Sequence, residues 1–314
     1  MTTSVTVSLP ARLHFGFLDM NGGLGRRFGS LGLAIDQPRT QVTLRIAQYP
    51  YAEVKGPDIG RAERYLGQMT GALGFDGGYS LTVDEAIPAH AGLGSGTQMA
   101  LAVAAALRQL HGLGLDPRGD ALRLGRGERS GVGIALFAQG GFVIDGGHAD
   151  DETAPPVIAR LPFPPDWRVI LLLDPLRQGM HGEAEFAAFR DLPEFPAAAA
   201  AHVCRLTLMQ ILPALAEADI RRFGAGIGEI QAMTGDHFAP AQGGRFASPA
   251  VAGALSVLAR AGAHGPGQSS WGPTGFAFAA NAPEALRLCA ALYADPVSRG
   301  LDIRICRGLN HGLG

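Results

Sequence analysis

The chain has 314 residues, enough for two domains, and carries 26 Lys and Arg against 28 Asp and Glu, a net charge of −2. Hydrophobic residues make up 47% and charged residues 17%, which supports a sizeable core and excludes both disorder and a polyanion-binding surface, so nucleic acid is not an expected partner. Lys55 is the one lysine, so anion binding must rest on backbone amides and on arginine, whose planar fork suits phosphate.

Residues 2–9 set Val5, Val7 and Leu9 against Thr6 and Ser8, the alternation of a strand. Residues 16–32 read as a glycine-rich loop holding Arg26 and Arg27. A second strand is expected over residues 40–47, a helix over 60–73 and a strand over 79–85. Residues 98–111 predict a helix that is apolar around most of its circumference and therefore buried. Pro117 opens a further helix to Arg126, and residues 142–145 form a short strand. The proline-rich stretch 154–166 reads as the connection between two halves, residues 1–160 and 161–314. The second half is expected to hold strands at 168–174, 275–280 and 302–306 and helices at 197–216, 219–233, 249–261 and 283–293. Strands accompanied by helix pairs favour an α+β fold over a doubly wound parallel sheet. Cys204, Cys289 and Cys306 are widely spaced and odd in number, which indicates neither disulfides nor a zinc cluster. With no signal-peptide pattern and no apolar run of membrane-spanning length expected, a reducing, cytoplasmic setting follows.

The segment from Pro88 to Met99 carries the most information: a glycine-rich loop runs directly into the alanine-rich helix. Free N–H groups and the helix dipole at such a start favour an anion. The loop lacks the Gly-Lys-Ser/Thr ending of a P-loop, and Gly92, Gly94 and Gly96 have the wrong spacing for a dinucleotide fingerprint. The alternative is a plain helix start capped by Ser95 or Thr97.

Pro88-x-x-x-Gly92-Leu93-Gly94-Ser95 is similar to the central motif of the GHMP superfamily, named for galactokinase, homoserine kinase, mevalonate kinase and phosphomevalonate kinase, which places ATP phosphates on this loop. The resemblance implies a two-domain α+β fold. A strand-rich α+β domain carries the loop over residues 1–160, and a ferredoxin-like α+β domain covers 161–314. Two kinase positions differ: Gly96 stands where a second serine is usual, and Gly133 where the Asp base of Ser-Gly-x-Asp is usual. The third kinase motif is replaced by Gly267-Gln268-Ser269-Ser270-Trp271-Gly272-Pro273-Thr274. These departures, together with Arg12–Asp19, Arg27–Gly32, Glu128–Ile134, Gly140–Gly147 and Gln242–Gly244, resemble the β-ribofuranosylaminobenzene 5′-phosphate synthases over nearly the whole chain. That family condenses phosphoribosyl pyrophosphate with 4-hydroxybenzoate or 4-aminobenzoate, releasing carbon dioxide and pyrophosphate, toward methanopterin-type one-carbon carriers. The resemblance implies small-molecule substrates, no organic cofactor and a homodimer. The rival readings are an ATP-dependent small-molecule kinase and a non-catalytic phosphate-ligand-binding module.

On this resemblance Gly92, Leu93, Gly94, Ser95, Gly96 and Thr97 are expected to hold the pyrophosphate, with Arg26, Arg27 or Arg129 completing neutralisation and magnesium bridging its oxygens. His14 is the candidate for a proton or hydrogen-bond role at the para group or the ribose. Arg12 would hold the benzoate or a phosphate, and Asp19 a ribose hydroxyl or a metal. Ser269 and Ser270 offer hydroxyls to phosphate, and Trp271 a wall for the aromatic ring. The plainer alternatives are a packed histidine, a solvated arginine, a turn aspartate before Asn21-Gly22 and a buried tryptophan. His181, Glu183 and Glu185 read as a solvated helix start, with Glu183 kept as a magnesium candidate.

Overall fold

The computed structural model describes residues 3–47, 52–149, 154–180 and 182–313. The first half holds strands β1 (Ser4–Asp19), β2 (Phe28–Ile46) and β3 (Ala52–Lys55), helix α1 (Ile59–Leu73), strand β4 (Tyr79–Glu85), helices α2 (Ser95–Leu110), α3 (Pro117–Arg123) and α4 (Val132–Gln139), and strands β5 (Phe142–Asp145) and β6 (Val157–Leu161). Its sheet runs β3-β4-β2-β5-β6, with β1 paired along β2. The second half holds β7 (Arg168–Leu173), α5 (Glu183–Asp191), α6 (Ala197–Leu206), α7 (Leu212–Ala216), α8 (Ile220–Gln242), α9 (Pro249–Arg260), β8 (His264–Gln268), β9 (Gly275–Ala279), α10 (Ala282–Ala294) and β10 (Asp302–Cys306). Its antiparallel sheet runs β10-β7-β9-β8, the ferredoxin-like arrangement the resemblance implied.

The expected glycine loop over residues 16–32 is mostly strand. β1 and β2 pair from Ser4 opposite Arg45 to Asp19 opposite Phe28, leaving residues 20–27 as the connection. Glycine inside a strand marks a close approach of another element. A Cβ at Gly32 would lie 2.2 Å from Val132 Cγ1, so α4 packs on β2 only because that side chain is missing. The proline-rich connection also contains a strand: β6 pairs with β5 from Phe142 opposite Leu161 and is an edge, where proline neighbours are tolerated. Helix α8 runs beyond Met233 to Gln242.

Helix α2 is buried along almost its whole length. It packs Met99, Leu101 and Val103 against Leu9 and Leu44 of the sheet and Tyr65 and Met69 of α1. Each large apolar side chain buried this way contributes about 1.5–3 kcal/mol. A second core joins the halves: Leu13, Phe15 and Leu33 of the first sheet meet Leu171, Phe276 and Phe278 of the second and Phe223 and Ile227 of α8. Residues 197–216 are, against expectation, long and apolar enough to cross a membrane. A π-helical turn at Thr207–Ile211 interrupts the run, and Val203, Leu206, Ile211 and Leu215 pack into that joint core. The segment after β10 returns to the first half, where Leu309 N–H donates to Ala34 and Leu313 N–H to Phe137.

Candidate active site

The loop after β4 turns through left-handed backbone at His90, Gly92 and Gly94 and delivers α2 with Gly94 as its N-cap. No side chain caps this helix and no acidic residue lies in its first turn, so neither Ser95 nor Thr97 acts as the expected cap. Uncapped N–H groups and the dipole leave an anion site at the helix start. Neighbouring loops hold the backbone rigidly. Gly92 O accepts from Ser269 Oγ at 2.7 Å and from Arg12 Nη1 at 2.8 Å. Gly179 N–H donates to His90 O at 2.7 Å, and Leu93 is fully buried, anchoring the loop in the core. A Cβ on Gly92 would lie 2.1 Å from Ser269 O, and one on Gly272 2.1 Å from Ala91 O, so these loops pack backbone on backbone.

Outside the loop lies a cavity of about 580 Å³, lined by Gly92, Gly94, Ser95, Gly96 and Thr97 and by Arg12, Arg61, Arg64 and Arg126. Arg61 is held by the Asp58 carboxylate and donates to Ser95 Oγ at 3.3 Å. Arg126 donates to Tyr65 Oη at 2.5 Å, and its guanidinium stands 5.5 Å from the Tyr65 ring centroid. Fixed arginines around a helix start bind a polyanion without rearranging. Among the described residues no Asp or Glu lines this cavity, and no group of three or more His, Cys, Asp or Glu is placed to hold a metal ion. Magnesium at phosphate sites takes one or two protein carboxylates, and these residues do not supply them.

The remaining expected site residues divide. Arg12, Ser270 and Trp271 line the cavity with the loop. His14 lines an adjoining narrow slot that also touches Ser270 and Trp271. β1 shifts register between His14 and Gly16, and His14 shares the slot with Gln231, Thr234 and Phe238 of α8. His14 Nδ1 accepts from Gly16 N–H at 3.3 Å. Burial, reinforced by the charge of Arg12, holds its pKa well below the ordinary imidazole value, so the ring is neutral at pH 7. Ser269 is wholly buried, accepting from His14 N–H and donating to Gly92 O, so its hydroxyl ties β1 to the loop and is not offered to a ligand. Trp271 lies against Phe238, ring centroids 4.1 Å apart with the planes tilted by 44°.

Arg26, Arg27 and Arg129 do not line the cavity. Arg26 donates to Gly146 O and Gly147 O, and Arg27 reaches Met20 O and lies 5.6 Å from the Phe28 ring centroid. Asp19 accepts from the N–H groups of Asn21 and Gly22, the turn role. Glu183 is exposed at the start of α5 and lines neither cavity nor slot. His181 and the Glu185 side chain lie outside the described residues. Arg61, Arg64 and Arg126 were not singled out from the sequence. Their only signal there is an i, i+3 arginine pair on an expected helix.

The chain matches the GHMP kinases N terminal domain over residues 59–141 and the GHMP kinases C terminal domain over 211–297. It is 32% identical over 293 residues to the β-ribofuranosylphenol 5′-phosphate synthase of Methanothermobacter thermautotrophicus, covering 87% of this chain and 88% of that one. It is 37% identical over 236 residues to the enzyme of the same name from Archaeoglobus fulgidus, covering 71% and 74%. The chain belongs to the β-ribofuranosylphenol 5′-phosphate synthase family. The chain carries the GHMP kinase fold, as its likeness to solved structures shows. Homoserine kinase from Cytophaga hutchinsonii superposes with a TM-score of 0.71 at 19% identity, covering 99% of this chain and 96% of that one. Mevalonate kinase from L. major, solved with R-mevalonate, gives 0.73 at 13%, covering 98% of both. Gly133, where the kinase resemblance led an Asp to be expected, is buried against Thr97, where a Cβ would meet the Thr97 methyl at 3.1 Å.

Proposed function

We propose that this chain catalyses decarboxylating phosphoribosyl transfer: phosphoribosyl pyrophosphate and a para-substituted benzoate give a β-ribofuranosyl-benzene 5′-phosphate, carbon dioxide and pyrophosphate, a step toward methanopterin-type cofactors. The observation that carries the reading is the cavity at the uncapped start of α2, lined by Arg12, Arg61, Arg64 and Arg126 and by no described carboxylate. A cavity of about 580 Å³ accommodates a molecule with two anionic ends. The family names specify a phenol, which makes 4-hydroxybenzoate the acceptor in this reading.

The pyrophosphate lies on the N–H groups of the loop from Gly94 to Thr97, and Arg61 and Arg126 neutralise the charge that grows as it leaves. Arg12, fixed on Gly92 O, bridges this end and the ring-binding end near Trp271. The ring then attacks through the carbon bearing the carboxylate, and loss of carbon dioxide restores aromaticity. Such chemistry rests on orientation and water exclusion more than on a protein nucleophile. Magnesium enters this reading with the substrate, on pyrophosphate oxygens, and no step is assigned to a protein-held ion. Phosphoryl transfer to a hydroxyl is the less favoured reading because Gly133 has no side chain to take the proton. The enzyme is further proposed to act as a homodimer and in the cytoplasm, a reducing compartment that its unpaired Cys204, Cys289 and Cys306 suit. Carboxyl-labelled 4-hydroxybenzoate should release labelled carbon dioxide only with phosphoribosyl pyrophosphate. Silence, with phosphoryl transfer from ATP instead, would refute the assignment.

A further inference from the structure

The slot beside the arginine cavity has room for about 20 Å³. That fits one water-sized group and not an aromatic ring. Slot and cavity share Ser270 and Trp271 in their linings, so a ring seated against Trp271 in the larger cavity has room to send only a substituent toward the slot. Four of the slot's polar side chains have partners: Arg245 bonds the Asp236 carboxylate, and Gln242 bonds Arg245 O and Gln268 Nε2. Gln231 bonds Phe15 O and Gln268 N–H, and Gln268 bonds Ala247 N–H and Ser270 O. His14 differs. Because Nδ1 accepts from Gly16 N–H, the proton of the neutral ring sits on Nε2. That nitrogen makes no hydrogen bond among the described residues. The slot therefore offers the His14 Nε2–H as a donor without a lone pair at that nitrogen, beside the Thr234 and Ser270 hydroxyls that also line it.

We propose that His14 is a specificity residue, reading the para substituent as oxygen by donating Nε2–H to it and disfavouring an amine. The inference rests on the function proposed above. A phenol or phenolate oxygen has lone pairs to accept this bond. An aryl amine delocalises its lone pair into the ring and turns N–H groups toward the donor. The bond also persists through the reaction. Starting from the phenolate, the ring carbon bonds to the ribose, the bond to pyrophosphate breaks, and the para oxygen becomes a dienone carbonyl that still accepts. The bond to the carboxylate then breaks, carbon dioxide leaves, and the electron pair returns through the ring to the oxygen.

The test titrates wild type, His14→Gln and His14→Leu with 4-hydroxybenzoate and 4-aminobenzoate under saturating inorganic pyrophosphate. The wild type should bind the hydroxy acid at least ~10-fold more tightly, as expected where a site is built around one polar contact. His14→Gln, whose amide restores a donor, should keep at least ~3-fold of that preference, and His14→Leu should bring the acids within ~3-fold. Pyrophosphate affinity should stay within ~2-fold in both variants, since the arginines set it; this confirms that they fold. A His14→Leu protein that keeps the preference, or a wild type without one, overturns the inference while leaving the proposed reaction standing. A wild type that binds neither acid and releases no carbon dioxide removes both.

Discussion

Gly96→Ala should move stability and ligand affinity in opposite directions. Gly96 sits in the first turn of α2 and does not need a left-handed backbone. Alanine there relieves part of glycine's helix penalty of about 1 kcal/mol, so a gain of ~0.5 kcal/mol is expected. For a chain of this size that raises the melting temperature by about 1 °C. The added Cβ, however, would lie 3.2 Å from Arg126 Nη1 and 3.5 Å from Arg61 Nη1. Arg126 is tethered to Tyr65 Oη and Arg61 to Asp58, so the methyl stays between the two guanidinium groups, where the anion would sit. Losing one charge-assisted hydrogen bond costs about 1.5–3 kcal/mol, which weakens binding roughly 10- to 100-fold. Calorimetric titration with inorganic pyrophosphate, paired with a thermal melt, reads both effects. A raised melt with unchanged pyrophosphate affinity would refute the placement of the anion at this helix start.

Arg61→Gln and Arg126→Gln should each weaken pyrophosphate binding about 10-fold and flatten its salt dependence, whereas Arg26→Gln should leave it within ~2-fold; equal effects of all three would contradict the cavity assignment. Gly92→Ala combines a left-handed backbone at φ 80° with a Cβ 2.1 Å from Ser269 O, so urea unfolding should show a loss of about 2–5 kcal/mol; a loss below ~0.5 kcal/mol would mean the loops do not interlock as described. His14 is neutral when folded and titrates near its ordinary value when unfolded. The unfolded chain therefore binds the extra proton, and this part of the stability is present above about pH 6.5 and lost as pH falls below it. The slope of stability against pH between about 5 and 6 should be up to ~1.4 kcal/mol per unit shallower in His14→Gln. Parallel slopes for the two proteins would show that His14 is protonated in the folded state.

Much of the fold was legible because it rests on local pattern. Tyr79–Glu85, Phe142–Asp145 and Asp302–Cys306 are bounded by turn-forming residues, and the structure gives them those same ends. The misreadings have a common physical cause. Gly16, Gly29 and Gly32 suggested a loop, but each lies in or between paired strands: Gly16 faces Thr234 and Gly32 faces Val132. Local propensity cannot report what a glycine is making room for. The prolines around β6 hid an edge strand for the same reason. At the site, the loop was legible because its glycine spacing is local, and Arg12 because it stands beside His14. Arg61, Arg64 and Arg126 come from α1 and the turn after α3, and only the packing of α1 and α3 on α2 brings them to Gly96. Arg26 and Arg27 carried charge near glycines, but Gly146 O, Gly147 O and Met20 O take their guanidinium groups.

The strand-like return of residues 308–313 to the first half bears on how the molecule is made. Gly141 N–H finds its acceptor at Leu309 O, and Asn310 fastens both the N–H and the carbonyl of Phe163. A chain emerging from the ribosome cannot satisfy these backbone groups of its first half until the late residues are free, so folding half by half stops short of closure. Expressed alone, residues 1–165 would leave Ala34 O and Gly141 N–H without those partners. The late residues thus tie the second half of the chain to the first.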